Sequence, residues 1–262
     1  GQVTETGTAV EGGWRDRAVF AFNPHESRFT ATPEELVAVP DDLGPDAMAM
    51  LPSVETATSL VLDARPRIGE RVVVFGAGVI GLCTIDLLST FPLERLVAVE
   101  PVESRRDHAR RLGADVAIPP SEATERIPAD PGGTGAERPG ADLVFELSGQ
   151  PAALDDAIDV VGYDGRVVVG SWYGTKRASL DLGTDFHRDR ISIESSQVST
   201  ISPAARGRYT KARRMGVALE RLRELDADSL ITHRIPFEEA HSAYRLLDED
   251  PGSALQVLLT YQ

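Results

Sequence analysis

Residues 72–81 read VVVFGAGVIG, an apolar run that breaks into glycines at 76, 78 and 81. Three glycines at this spacing occur often by chance, so the flanks decide the reading. Before them, RVVVF is a near-continuous apolar segment of the kind buried on both faces of a parallel sheet. After them, VIGLCTIDLLSTF has apolar residues at helical spacing. A strand that ends in such glycines and opens a helix makes a phosphate-binding turn. Gly76 allows the tight turn, Gly78 lets backbone approach a pyrophosphate, and Gly81 lets the helix pack close to the strand. Val79 and Ile80 then carry first-turn N–H groups, at the positive end of the helix dipole, toward the phosphates.

The next strand, LVAVE, ends at Glu100, close to the interval of about 20 residues that separates such a turn from the acid accepting hydrogen bonds from the adenosine ribose. A carboxylate there repels a 2′-phosphate, so NAD(H) is expected. NADP(H) is the alternative, because Arg105 and Arg106 follow and can hold a phosphate. Cys83, the single cysteine, lies on the helix between apolar neighbours and reads as a buried, inert thiol.

Strand and helix patterns alternate onward: RLVAVE, SRRDHARRLGA, ADLVFELSG, AALDDAIDVV, GRVVVGSW. Parallel neighbours need crossover connections, so this alternation predicts an α/β fold with a doubly wound parallel sheet. ISIESSQ is expected as its outer strand. Ser148, Gly149 and Ser171 follow strand ends at the carboxyl edge, where ligands of open α/β sheets lie, and are candidate cofactor contacts. Residues 119–140 are rich in Pro and Gly and read as a surface loop. Upstream, VTETGTAV, RAVFAF and RFTAT are expected as short strands. A helix should start at Asp-Leu-Gly-Pro, be interrupted by Pro52, and lead into the glycine strand. YTKARRMGVALERLREL reads as a helix. Its Arg213, Arg214, Arg221 and Arg223 are expected to form a solvated face interleaved with Glu220 and Glu224, not a nucleic-acid surface.

The 262 residues carry 41 acidic and 27 basic side chains, a formal net charge of −14, and only Lys176 and Lys211 are lysines. That field repels phosphate backbones, so nucleic acid and anionic membranes are not expected as partners. Abundant Asp and Glu with almost no Lys suit a cytosol at high salt, where self-repulsion is screened; a GC-rich genome favouring Arg is the alternative. No apolar run approaches the roughly 20 residues that span a bilayer, and GQVTETGTAV lacks the regions of a signal peptide, so a cytoplasmic location is expected.

Taken in order, GQVTETGTAV with WRDRAVF, LVAVPDDLGPDAMAMLP, GERVVVFGAGVIGL, RRLGADVAI, ADLVFELSG, GRVVVGSWYG and LITHRIPFEEAHSAYRLL resemble the landmarks of the medium-chain dehydrogenase/reductase superfamily, the zinc-type alcohol dehydrogenases and their zinc-free relatives. The resemblance implies a Rossmann domain at 52–198. Residues 1–51 and a return from 199 to 262 would then form a truncated, β-rich, GroES-like catalytic domain. It also implies hydride transfer between NAD(P) and an alcohol or carbonyl compound, in a homodimer or homotetramer joined at the edge of the cofactor sheet.

The departures concern the metal. In that family a Cys and a Gly-His-Glu motif bind catalytic zinc, and both would precede Gly1. The third ligand should stand just before Pro52, where Leu51 cannot bind zinc. NPHESRF replaces the structural-zinc lobe. The first residue, Gly1 and not Met, suits a fragment, a processed form or a truncated member. Zinc is therefore not supported by these residues, and Glu55 reads as a polar helix residue more readily than as a displaced ligand. His25 is the candidate general acid/base, being a loop imidazole on the substrate side of the resemblance. Ser53 and Thr56 are candidate donors to a substrate oxygen, while His187 and His233 read as structural. Two readings from different classes remain: an oxidoreductase, and a dinucleotide-binding module without catalysis.

Overall fold

The computed structural model of the chain describes residues 1–127 and 139–261. Up to Leu51 it carries little regular structure. β1 (Val19–Ala21) pairs antiparallel with β2 (Leu36–Ala38), and one bridge joins Gln2 to Ala18. The expected strands VTETGTAV and RFTAT do not form. Apart from half-buried Val3, both segments are exposed, so they have no apolar face that pairing would bury. Two helices follow, α1 (Pro45–Ala49) and α2 (Leu51–Ala64). The break falls at Met50 rather than at Pro52, which sits in the first turn of α2 where its missing N–H costs nothing.

From Arg71 the alternation appears: β3 (Arg71–Phe75), α3 (Val79–Leu88), β4 (Arg95–Val99), α4 (Glu103–Arg111), β5 (Val116–Ile118), α5 (Ala123–Arg126), β6 (Ala141–Glu146), α6 (Pro151–Val160), β7 (Val161–Val169), α7 (Asp185–Arg188) and β8 (Ser192–Ser195). These strands form one six-stranded sheet in the order β5-β4-β3-β6-β7-β8, every neighbouring pair parallel. Chain direction across the sheet reverses between β3 and β6, so their carboxyl ends flank the crevice where doubly wound sheets bind ligands. β8 is an edge strand, as ISIESSQ suggested. Of the segment 119–140, residues 128–138 lie outside the described residues. Its beginning is not loop: Ala123 and Ile127, four residues apart, both turn into the core, and that apolar pair stabilises the short α5.

The sheet is buried as its apolar strands require. Val73, Phe75, Val97, Val99, Val144 and Val167 line one face under Leu154, Ala157 and Ile158 of α6. On α3, Leu82, Cys83, Ile85 and Leu88 are all buried. The chain then continues through α8 (Lys211–Leu222), β9 (Ile231–Pro236), α9 (Ala240–Glu249) and β10 (Gln256–Thr260), with β9 and β10 paired in parallel. Two compact units result: Gly1–Leu51 with Leu222–Gln262, and Pro52–Arg221. Residues 199–221 thus group with the sheet-bearing unit.

Two of the four arginines expected on a solvated face, Arg214 and Arg221, are instead turned into the protein. Arg214 is 2% exposed, and its guanidinium donates to Glu55 of α2 at 2.7 and 3.2 Å and to Ser59 Oγ at 3.2 Å. Arg221 grips the Asp86 carboxylate of α3 with two 2.6 Å hydrogen bonds. Arg213 lies over the Tyr209 ring, and Arg223 pairs with Asp42. The positions are helical neighbours, but α8 packs Arg214 and Arg221 against carboxylates of α2 and α3 that lie far away in sequence, while Arg213 and Arg223 are exposed as expected.

Candidate functional site

Three backbone features build the site at the carboxyl end of β3. Gly76 has φ +91°, and a Cβ placed on it would stand 2.7 Å from Ser148 Cα and 2.8 Å from Leu147 C and O. The turn after β3 and the exit of β6 therefore touch backbone to backbone. A Cβ on Gly81 would stand 1.9 Å from the Gly76 carbonyl oxygen, so α3 approaches the turn as closely as a helix can. Gly78 is the opposite case: it caps α3 with extended backbone, and a Cβ there would meet nothing within 4 Å. Open space thus lies at the helix start. The first-turn N–H groups of any helix have no intrahelical carbonyl, and those of Val79 and Ile80 sit at a half-exposed end. Such an end suits an anion, and the absent Gly78 side chain leaves room for a pyrophosphate.

Glu100 follows β4, one strand away, and is buried. One carboxylate oxygen accepts the Ala77 N–H at 2.7 Å, and the other accepts the Val102 N–H at 3.0 Å. The acid therefore braces the glycine turn from the side. Arg105 lies 4.0 Å from the same carboxylate. Arg106 donates to the Glu100 and Pro101 carbonyls at 2.8 and 2.6 Å, so its guanidinium is spent on backbone. These contacts form an acidic group with one neighbouring cation.

Beyond β3, Ser148, Gly149 and Ser171 come together. The Gly149 N–H donates to Ser171 Oγ at 2.8 Å, and Ser171 Oγ lies 3.3 Å from the Glu146 carbonyl. At the centre is Glu146, fully buried, which the sequence reading passed over. One of its carboxylate oxygens accepts the Ser148 N–H at 2.9 Å and the Ser148 hydroxyl; the other accepts the Tyr173 hydroxyl. Burial, and then the hydrogen bond to Glu146, push the Tyr173 phenol up, which keeps it a donor. A carboxylate closing the apolar run ADLVF was the available signal, since a buried charge requires partners.

The other candidates make contacts of their own. His25 is exposed, with Nδ1 3.3 Å from the Tyr244 hydroxyl in the unit formed by the chain ends. His187 is exposed on α7, and His233 Nδ1 lies 3.0 Å from Thr232 Oγ1. The Thr56 hydroxyl donates back to the Pro52 carbonyl at 2.8 Å, an interaction within α2. Ser53 is half-buried in the first turn of the same helix. Burial pushes the Cys83 thiol up to about 12, so it is the inert group expected.

Comparison with known proteins bears on what this arrangement belongs to. Residues 79–215, more than half of the chain, match the family described as zinc-binding dehydrogenase. D-guloside 3-dehydrogenase of Escherichia coli (strain K12) is 28% identical over 210 residues, which is 78% of this chain and 59% of the relative. (R,R)-butanediol dehydrogenase of Bacillus subtilis (strain 168) is 27% identical over 231 residues, 88% of this chain and 60% of the relative. This chain thus spans about three fifths of the length of these relatives. Among solved structures, the alcohol dehydrogenase of Thermus sp. ATN1 superposes with a TM-score of 0.70 at 24% identity, covering 87% of this chain and 61% of that one. A short chain alcohol dehydrogenase of E. coli CFT073, solved with NADH, superposes with a TM-score of 0.69 at 20% identity, covering 88% and 64%. These likenesses establish the Rossmann-type fold.

Zinc, implied by the family's description, does not fit the residues described. Among them no group of three or more His, Cys, Asp or Glu side chains is placed to hold a metal ion. Leu51 is buried and apolar, and Glu55 is committed to Arg214. The dinucleotide half does fit: a Cβ on Gly78 would meet nothing within 4 Å, and the Glu100 carboxylate sits on the neighbouring Ala77 N–H.

Proposed function

Since the chain belongs to the zinc-binding dehydrogenase family, we propose that it acts as an NAD-dependent oxidoreductase, moving a hydride between nicotinamide and an alcohol or carbonyl substrate. The observation that carries this reading is the glycine turn at the sheet's switch point, with open space at Gly78 and the Glu100 carboxylate beside it. Gly76, Gly78, Val79, Ile80 and Gly81 receive the pyrophosphate. Glu100 accepts from the adenosine ribose with Arg105 at its flank, and its charge disfavours a 2′-phosphate, so NAD is preferred over NADP. Ser148, Gly149 and Ser171 bound the nicotinamide half. When bound, the nicotinamide supplies the hydride chemistry; the chain's residues bind it, orient it and leave one face free.

The proton that leaves or joins the substrate oxygen is assigned to His25, an exposed imidazole whose Nδ1 lies 3.3 Å from the Tyr244 hydroxyl. The relatives' names support an alcohol or polyol substrate. No helix among the described residues is long and apolar enough to cross a membrane, and a cytoplasmic protein is proposed. The unpaired edge of β8 is proposed as the strand that joins two copies.

The test is an assay of alcohols and polyols with NAD⁺, and of quinones and enones with NADH, each with and without a chelator. NADH-linked turnover that survives the chelator is the expected result, with His25→Asn lowering kcat. Tight NADH binding without turnover on any substrate would make the chain a binding module. Failure to bind either nucleotide would remove the proposal.

A further inference from the structure

Trp172 is 88% exposed, the most exposed large apolar side chain among the described residues. A free loop would explain that, but both neighbours of Trp172 are fastened. Ser171 Oγ accepts the Gly149 N–H at 2.8 Å, and the Ser171 N–H donates to the Glu146 carbonyl at 3.2 Å. Tyr173 reaches inward and gives its hydroxyl to the buried Glu146 carboxylate. Lys176, one of two lysines in the chain, donates to the Gly149 carbonyl at 3.1 Å and closes the same pair of loops. The indole is therefore held outward by anchored backbone, immediately past the carboxyl end of β7.

Its place along the sheet matters. The glycine turn ends β3, and β6 and β7 follow on the side away from Glu100. Adjacent strands lie about 4.8 Å apart, so Trp172 stands roughly 10 Å beyond the turn. With the adenosine half directed to Glu100, the other half of a dinucleotide has to run that way. An indole presented there offers a planar, electron-rich face of the kind on which heteroaromatic rings stack.

We propose that Trp172 is the stacking platform for the nicotinamide ring, and that Glu146 is a positioning residue whose buried carboxylate holds Tyr173 inward so that Trp172 faces the ligand. This rests on the dinucleotide reading above and adds a residue to it. The Glu146 carboxylate touches no ligand in this account; it acts through the loops after β6 and β7.

The experiment compares NADH with ADP-ribose, which keeps both riboses and the pyrophosphate but lacks nicotinamide, by calorimetric titration. Trp172→Ala should raise the Kd for NADH about tenfold, as loss of one stacking contact does, and leave that for ADP-ribose unchanged. Tyr173→Phe should also weaken NADH selectively. In a Trp14→Phe background, where Trp172 is the sole tryptophan, it should lower the steady-state anisotropy of the indole. Glu146→Gln should reproduce the effect of Tyr173→Phe. If both ligands bind normally to the parent protein but weaken equally in Trp172→Ala, or do not weaken, the platform is wrong while the dinucleotide reading stands. An unchanged anisotropy in Tyr173→Phe overturns the role of Glu146. If the parent protein binds neither ligand, both readings fall.

Discussion

Gly78 and Gly81 stand three residues apart and answer to different demands. At Gly81 any side chain collides with the Gly76 carbonyl, a backbone atom that cannot swing aside. Gly81→Ala should therefore cost about 3 kcal/mol or more of stability, at the upper end of overpacking, read by chemical denaturation. Gly78 has extended backbone and open space, so Gly78→Val should fold with a near-parental Tm yet lose NADH affinity at least tenfold by titration. A Gly78→Val protein that binds normally would move the pyrophosphate away from α3. The tight turn at Gly76 and the close helix packing at Gly81 were legible in the sequence because those demands are local. The sequence reading passed over Glu146, whose partners Ser148 and Tyr173 are brought to it by two different loops.

Among the elements, the strands of the large sheet were legible because burial on both faces writes a continuous apolar run, as in RVVVF and ADLVF. The arginines of α8 were not. The helical spacing of Arg214 and Arg221 is visible in sequence, whereas the carboxylates they meet are on α2 and α3. That misreading has an energetic consequence. Removing one partner of the buried Arg214–Glu55 pair leaves the other uncompensated, so Arg214→Met should destabilise by about 3 kcal/mol. Adding Glu55→Leu should restore most of it, and denaturation of the three variants measures the coupling. A fully additive cycle would show that the pair contributes nothing as a pair. The short strands expected at 3–10 and 28–32 failed for a related reason. Alternation in a polar segment has no meaning unless some face is buried.

Acid sensitivity belongs to the contacts between elements as well. Burial alone would raise the Glu70 carboxyl, but the Arg166 guanidinium at 2.7 and 2.9 Å and the Arg67 N–H at 2.8 Å hold it below its ordinary 4.5. Because the folded pKa is depressed, the pair's contribution is complete above about pH 4.5. It is lost as pH falls through the folded value. Arg166→Met should flatten the fall of Tm below that pH. An unchanged acid limb would assign the acid sensitivity to other carboxylates.

For the whole molecule, the net charge of −14 sets the response to salt. Self-repulsion of so acidic a chain is screened as the Debye length shrinks, so Tm and NADH-linked activity should rise with KCl between 0.1 and 1 M. Full activity and an unmoved Tm at low salt would favour the compositional explanation for the scarcity of lysine. The fold follows from apolar runs and a glycine turn contiguous in sequence and could be read there.

The central claim is that the turn from Phe75 to Gly81, braced by Glu100, receives NAD. Calorimetric titration of the chain with NADH and NADPH tests it most directly. Saturable one-to-one binding of NADH, tighter than NADPH and weakened by Gly78→Val without loss of Tm, is the predicted result. A titration with no heat of binding for either nucleotide, on protein that unfolds cooperatively, would contradict it.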